Sequence, residues 1–115
     1  MTFTDAIRNG FENYAKFDGR APRREYWFWV LFVVLASIAA SVIDTAVTQG
    51  ILGVVIGLGL FIPNLAVSVR RLHDIGKSGW NLLWGLVPLL GFIYLIYLYV
   101  QPGDPATNEY GPAPA

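Results

Sequence analysis

The 115-residue chain has no cysteine and a single histidine. Without cysteine there is no disulfide, no thiolate nucleophile and no cysteine-ligated zinc or iron–sulfur centre. One histidine is a poor start for a transition-metal site. Charge is scarce as well: Asp, Glu, Lys and Arg make up 14% of the chain and cancel to zero. Soluble domains carry about 25%. A zero balance gives no general pull toward polyanions, so no nucleic-acid partner is expected. A phosphate loop, a zinc-protease motif and a nucleophile elbow are also missing. The sequence therefore leads to no expected cofactor, no metal and no enzyme activity.

Apolar sequence is abundant, at 55% of the residues. It is gathered into three runs, residues 27–47, 51–69 and 80–100. Each approaches the roughly 20 residues that cross a bilayer. As core helices of a soluble protein they would leave too little polar chain to cover them. The expected fold is thus an all-α integral membrane protein with three transmembrane helices. "PRREYWFW" followed by "SIAAS" has some look of a cleaved signal peptide, but the run is long enough to stay as an anchor.

Basic residues alternate along this frame. Arg8, Lys16, Arg20, Arg23 and Arg24 precede the first run, and Arg70, Arg71 and Lys77 separate the second from the third. The 44–50 loop and the 101–115 tail contain neither Lys nor Arg. The positive-inside rule then puts the N-terminus and the 70–79 loop in the cytoplasm. With three crossings, the tail is expected on the periplasmic or extracellular side.

Before the first run, residues 3–17 have helical periodicity. Phe3, Ala6, Ile7, Gly10, Phe11, Tyr14 and Phe17 share one face, opposite Asp5, Arg8, Asn9, Glu12, Asn13 and Lys16. The spacing predicts an amphipathic helix lying in the headgroup layer, with Thr2 and Asp5 as a capping start. In the second run, Gly50, Gly53, Gly57, Asn64 and Ser68 form a stripe suited to close approach of another helix. Pro63 predicts a kink, and Asn64 should face protein. Continued past Ser68, the wheel turns Arg71 inward and Arg70 outward.

The stretch "RRLHDIGKSGW", residues 70–80, interrupts the apolar sequence with a polar knot. Each residue type there has a structural use. Arg70 and Arg71 suit the negative end of a helix, and Asp74 is spaced to pair with either. Gly76 suits a left-handed stop, and Ser78 can cap the next helix. A His73–Asp74 acid–base pair is the competing reading, but neighbours on a helix do not face each other. The stronger functional candidate is a basic cytoplasmic collar made by Arg20, Arg23, Arg24, Arg70, Arg71, His73, Asp74 and Lys77. Such clusters attract anionic lipid headgroups or a protein partner.

Three ordered stretches, "FDGRAPRREYWFW", "VRRLHDIGKSGW" and "PGDPATNEYGPAP", resemble the bacterial family of small inner-membrane proteins typified by YhaH and YhaI, a domain of unknown function. The matching positions include Gly19, Arg20, Glu25 and Trp27, then Arg71, His73, Asp74 and Trp80, then Asn108, Tyr110 and Gly111. Glu109 departs, since a basic residue is common there. The resemblance implies a bacterial inner-membrane location and supplies no reaction or substrate. The expected role is an interaction, lipid-binding or accessory protein, alone or as a homo-oligomer or with a membrane partner. The alternative is a subunit of an oligomeric pore or transporter, with Gly53, Gly57, Asn64 and Ser68 as its helix-packing residues.

Overall fold

The computed structural model describes Thr2 to Pro114. Four α-helices occur in order: α1 Phe3–Glu12, α2 Arg23–Ile43, α3 Ile51–Asp74 and α4 Leu90–Val100. A π-helical turn, Asp44–Thr48, extends α2, and a 3-10 helix, Gly79–Leu86, precedes α4. Among the described residues the only β feature is an isolated bridge between Asn108 and Gly111.

α1 starts where the sequence proposes. The Thr2 hydroxyl accepts from the Asp5 N–H, and the Asp5 carboxylate accepts from the Thr2 N–H. These two bonds close a capping box and satisfy two otherwise free donors. The backbone bond from Thr2 is the main reason the Asp5 carboxyl is held below its usual range. The helix ends at Glu12 rather than at residue 17. Its apolar face docks on the flank of α2. Ala6 is fully buried. Gly10 lies so close to the Trp29 ring that a Cβ would collide with it. Phe3 meets Phe28, and Phe11 meets Trp29, edge to face. Phe11, Tyr14 and Phe17 stay partly exposed, leaving an apolar fringe toward the surroundings.

α2 and α3 are the two helices long enough to cross a bilayer. α2 with its π turn has 26 residues and α3 has 24, at about 1.5 Å rise per residue. Only 6% and 22% of their most apolar windows are buried within the protein. Core helices of a soluble protein would be mostly buried, so these surfaces need lipid. The reversal between them is built from Gln49 and Gly50, both in the left-handed region at φ 54° and 99°. Asp44 accepts from the N–H groups of Leu52 and Gly53 at 2.9 Å. A carboxylate on the free donors at a helix start is favourable in both charge and geometry.

The third apolar run departs from expectation. Residues 80–100 are not one helix. The 3-10 helix ends at Leu86, and Pro88 then forbids helical geometry at Val87 and lacks an N–H of its own. Leu89 takes a positive φ of 63°, and the chain turns back as α4. At 11 residues, α4 is about 16 Å long, half of a hydrocarbon core. The two arms pack backbone to backbone, since a Cβ on Gly91 would overlap the Trp84 carbonyl. The result is a hairpin that leaves the end of α3 and returns to it.

That return moves the tail. Its expected position, on the side opposite the 70–79 loop, does not hold. Asp104 N–H donates to the Asp74 carbonyl at 2.7 Å, so tail and loop share one end of the molecule. The core lies at the same end, with Trp29, Val67, Leu72, Leu98 and Tyr99 in one cluster. Toward the Gln49–Gly50 reversal a groove opens between α2 and α3. Gly53 and Gly57 therefore make no close helix–helix contact. A Cβ on Gly57 would meet nothing within 4 Å, and one on Gly53 only the Asp44 carboxylate at 3.0 Å. Gly53 and Gly57 instead line an open groove of about 500 Å³ with Ser37, Ser41 and Asp44.

Cysteines substituted at Lys77 and Thr107 should react with an impermeant thiol reagent from the same side of the membrane, and one at Thr48 from the other. Labelling of Thr48 and Thr107 from one side would restore a third crossing.

Candidate functional site

The polar knot, the N-terminal motif and the tail assemble into one buried node. Asp74, at the last position of α3, is its hub. On its own, a carboxylate at the negative end of a helix is unfavourable. Two guanidinium groups reverse this. Arg20 Nε donates to Asp74 Oδ1 at 3.0 Å, and Arg71 Nη1 donates to Oδ2 at 2.9 Å. All three side chains are at most 3% exposed.

Two cations against one carboxylate leave a positive charge, and backbone carbonyls absorb it. Arg20 donates to the carbonyls of Asp74, Asp104, Ala106 and Gly111. Arg71 donates to Ala21 and, at the negative end of α4, to Tyr99 and Gln101. Two of those segments, the one before α2 and the tail, lie outside the helices. The arginines thus supply donors to carbonyls that no helix or sheet ladder uses fully. Gly103 must be glycine for the tail to approach, because a Cβ there would collide with the Asp74 carboxylate.

His73 is used beside the hub. Its Nδ1 lies 3.0 Å from the Gly19 carbonyl, and since a carbonyl only accepts, Nδ1 carries the proton. Its ring stacks on Tyr110 at 3.8 Å between centroids, nearly parallel. The Asn108 amide donates to the His73 carbonyl at 3.0 Å. His73 and Asp74 thus face different partners, as neighbours on a helix do. Gly76 ends the helix at φ 77°, and the Ser78 hydroxyl accepts from Trp80 N–H.

Within the expected collar, the structure separates buried from free members. Arg71 is inward, as the helix wheel indicates. Arg70 is not outward: it is 4% exposed and its Nη1 pairs with Glu25 Oε1 at 3.2 Å. Glu25 therefore pairs with Arg70 rather than with Arg71. The reason is that α2 and the 13–22 segment cover the face that Arg70 occupies, while α4 and the tail cover the face of Arg71. Arg23, Arg24 and Lys77 are exposed. Arg23 makes one bond, 3.3 Å to the Val100 carbonyl. Lower on α3, Asn64 faces protein as expected and accepts from the Trp29 indole at 2.7 Å. The residues that sequence reasoning missed are Gly103 and Asp104 as fixed members of the node. Only the order of the three motifs hinted at them.

A DUF805 family profile, described as a protein of unknown function, matches residues 14–112. The chain belongs to that family. Its matched span opens just before the Arg20 segment and closes just after Gly111, so it encloses the whole node. Inner membrane protein YhaH of Escherichia coli K12 is 37% identical over 109 residues, covering 90% of each chain. Inner membrane protein YhaI of the same strain is 38% identical over 111 residues, 90% of this chain and 89% of the relative. Uncharacterized protein YiiR is 28% identical over 126 residues and 83% of each chain. No solved structure matches the chain. Family membership, together with two helices of membrane-crossing length, makes this an inner-membrane protein.

Asp74→Asn should lower the thermal midpoint sharply. Breaking a buried ion pair by removing one partner costs about 3–5 kcal/mol, and here two guanidinium groups lose their counter-charge. Lys77→Ala should leave the midpoint within error. Differential scanning fluorimetry in detergent is the check, and equal midpoints for Asp74→Asn and wild type would refute the hub.

Proposed function

We propose that the protein is a small interaction or lipid-contacting accessory protein whose working surface is the cytoplasmic end, with the N-terminal motif, the 70–79 loop and the tail all on that side. The observation that carries this reading is the division of the basic residues. Arg20, Arg70 and Arg71 are buried with internal carboxylates beside them, whereas Arg23, Arg24 and Lys77 surround the node with their charges exposed. Exposed basic groups beside membrane helices attract acidic headgroups, and a rigid node keeps them in fixed register. The 44–50 loop at the far end has no basic residue, in line with the positive-inside rule.

A second reading, a subunit of an oligomeric pore or transporter, has one observation in its favour. The groove between α2 and α3 is lined by Ser37, Ser41, Asp44 and Gln49 as well as by glycines. Polar groups at that depth need protein or water. Ion flux across liposomes holding cross-linked oligomers would support it.

The first reading is tested by the lipid that co-purifies. Protein exchanged into mixed phosphatidylglycerol and phosphatidylcholine nanodiscs should enrich the acidic lipid in its first shell. The combined Arg23→Ala, Arg24→Ala and Lys77→Ala variant should lose that enrichment, by about fivefold for each charge removed, with its thermal midpoint unchanged. Equal enrichment in variant and wild type would remove the lipid-contacting role.

A further inference from the structure

Arg70 carries a feature that the node does not use. Its guanidinium is buried, its Nη1 is paired with Glu25, and among the described residues its Nε and Nη2 have no partner. Those two nitrogens form one edge of the planar fork, the edge that grips a carboxylate or phosphate with two parallel bonds. The same edge is filled in Arg20 and in Arg71, by carboxylate and carbonyl oxygens. Leaving a charged donor buried and unmatched is costly, so the edge calls for an acceptor from outside the chain.

A cleft lies beside this side chain, and a modest turn of the guanidinium would bring the edge, closed to solvent as it stands, into it. Arg70 lines a cavity of about 360 Å³ between α1, the 13–22 segment and the first turn of α2. One water takes about 30 Å³ of liquid, so the space exceeds a single bridging water by roughly tenfold. Lys16, Arg20 and Arg70 line it against Asp18 and Glu25, and Asn9 adds an amide. Arg20 is matched by Asp74 and Arg70 by Glu25, so Lys16 and the unfilled Arg70 edge are the groups left for an anion. Lys16 is exposed at the rim, where its flexible ammonium can close on an anion held by the Arg70 fork.

We propose that this cavity is an oxyanion site, taking a phosphate group on the free edge of Arg70 with Lys16 as its second cation. The phosphate belongs either to an acidic phospholipid or to a free small molecule. The lipid source rests on the cytoplasmic-surface reading above; the free source does not.

The test uses the full chain in neutral detergent, titrated with inorganic phosphate at constant ionic strength set by chloride. The thermal midpoint should rise and saturate. Lys16→Met, a rim substitution that spares the fold, should weaken the response about tenfold, the worth of one charge-assisted bond. Arg70→Lys keeps a charge facing Glu25 but removes the fork, and should abolish the response; if it does not fold, Lys16→Met decides alone. In parallel, retained phosphatidylglycerol is counted by native mass spectrometry. Loss of one retained lipid in Lys16→Met identifies the lipid source, and a phosphate response with no such loss identifies a free one. The proposal is overturned if phosphate has no saturable effect and lipid retention is the same in both variants and wild type, since water then fills the edge. Enrichment that depends on Arg23, Arg24 and Lys77 but not on Lys16 or Arg70 would sink this site and leave the surface reading standing. The reverse pattern would do the opposite.

Discussion

A buried carboxylate held between two guanidinium groups sets the constraints on this molecule. Taking Asp74, Arg20 and Arg71 out of water costs several kcal/mol per ion before any pairing. The cost is offset only if every donor and lone pair finds a partner. That requirement explains the rest of the polar end. It fixes the N-terminal segment through Arg20, the end of α4 through the Tyr99 and Gln101 carbonyls, and the tail through Asp104, Ala106 and Gly111. A network with one member missing would be worse than an apolar core. The three separated motifs are therefore parts of one object.

The membrane frame obeys the same constraint. Arg71 must reach the carbonyls at the end of α4, so α4 has to finish where α3 finishes. A helix spanning the whole third apolar run from that point would carry its end across the bilayer and away from Arg71. The break at Pro88 and the close contact at Gly91 shorten the excursion into a hairpin. The return of α4 brings the tail back to the end of the molecule where Arg20 and Asp74 meet. The far half, without such a node, has few internal contacts. There a groove runs between α2 and α3, closed at the turn by Asp44 on the start of α3.

How much of this was readable from the residues varies by kind of signal. Hydropathy located α2 and α3 closely, because lipid exposure and helix length write directly into composition. Local chemistry was readable too: the Thr2–Asp5 box, the left-handed Gly76, the Ser78 cap, and Asn64 turned to protein by the cost of leaving it in lipid. The hairpin was not, because residues 80–100 are as apolar as a spanning helix and only Pro88 marks the break. Arg70 was misplaced by a helix wheel drawn with one partner face, when two faces of α3 are covered at that end. Gly57 was misread because small residues permit close packing without requiring it. The docking of the tail had no local signal at all: carbonyl acceptors are the same in every sequence, and only side-chain donors betray where they are needed.

The tail's attachment to Asp74 is the most direct expression of the node, and amide hydrogen exchange reads it. In the wild-type protein in lipid nanodiscs, the Asp104 amide, bonded to the Asp74 carbonyl at 2.7 Å, should exchange as slowly as amides in the last turns of α3. It should open only with the fold as a whole. Exchange of Asp104 at the rate of an unstructured tail, with the α3 amides still protected, would contradict the account.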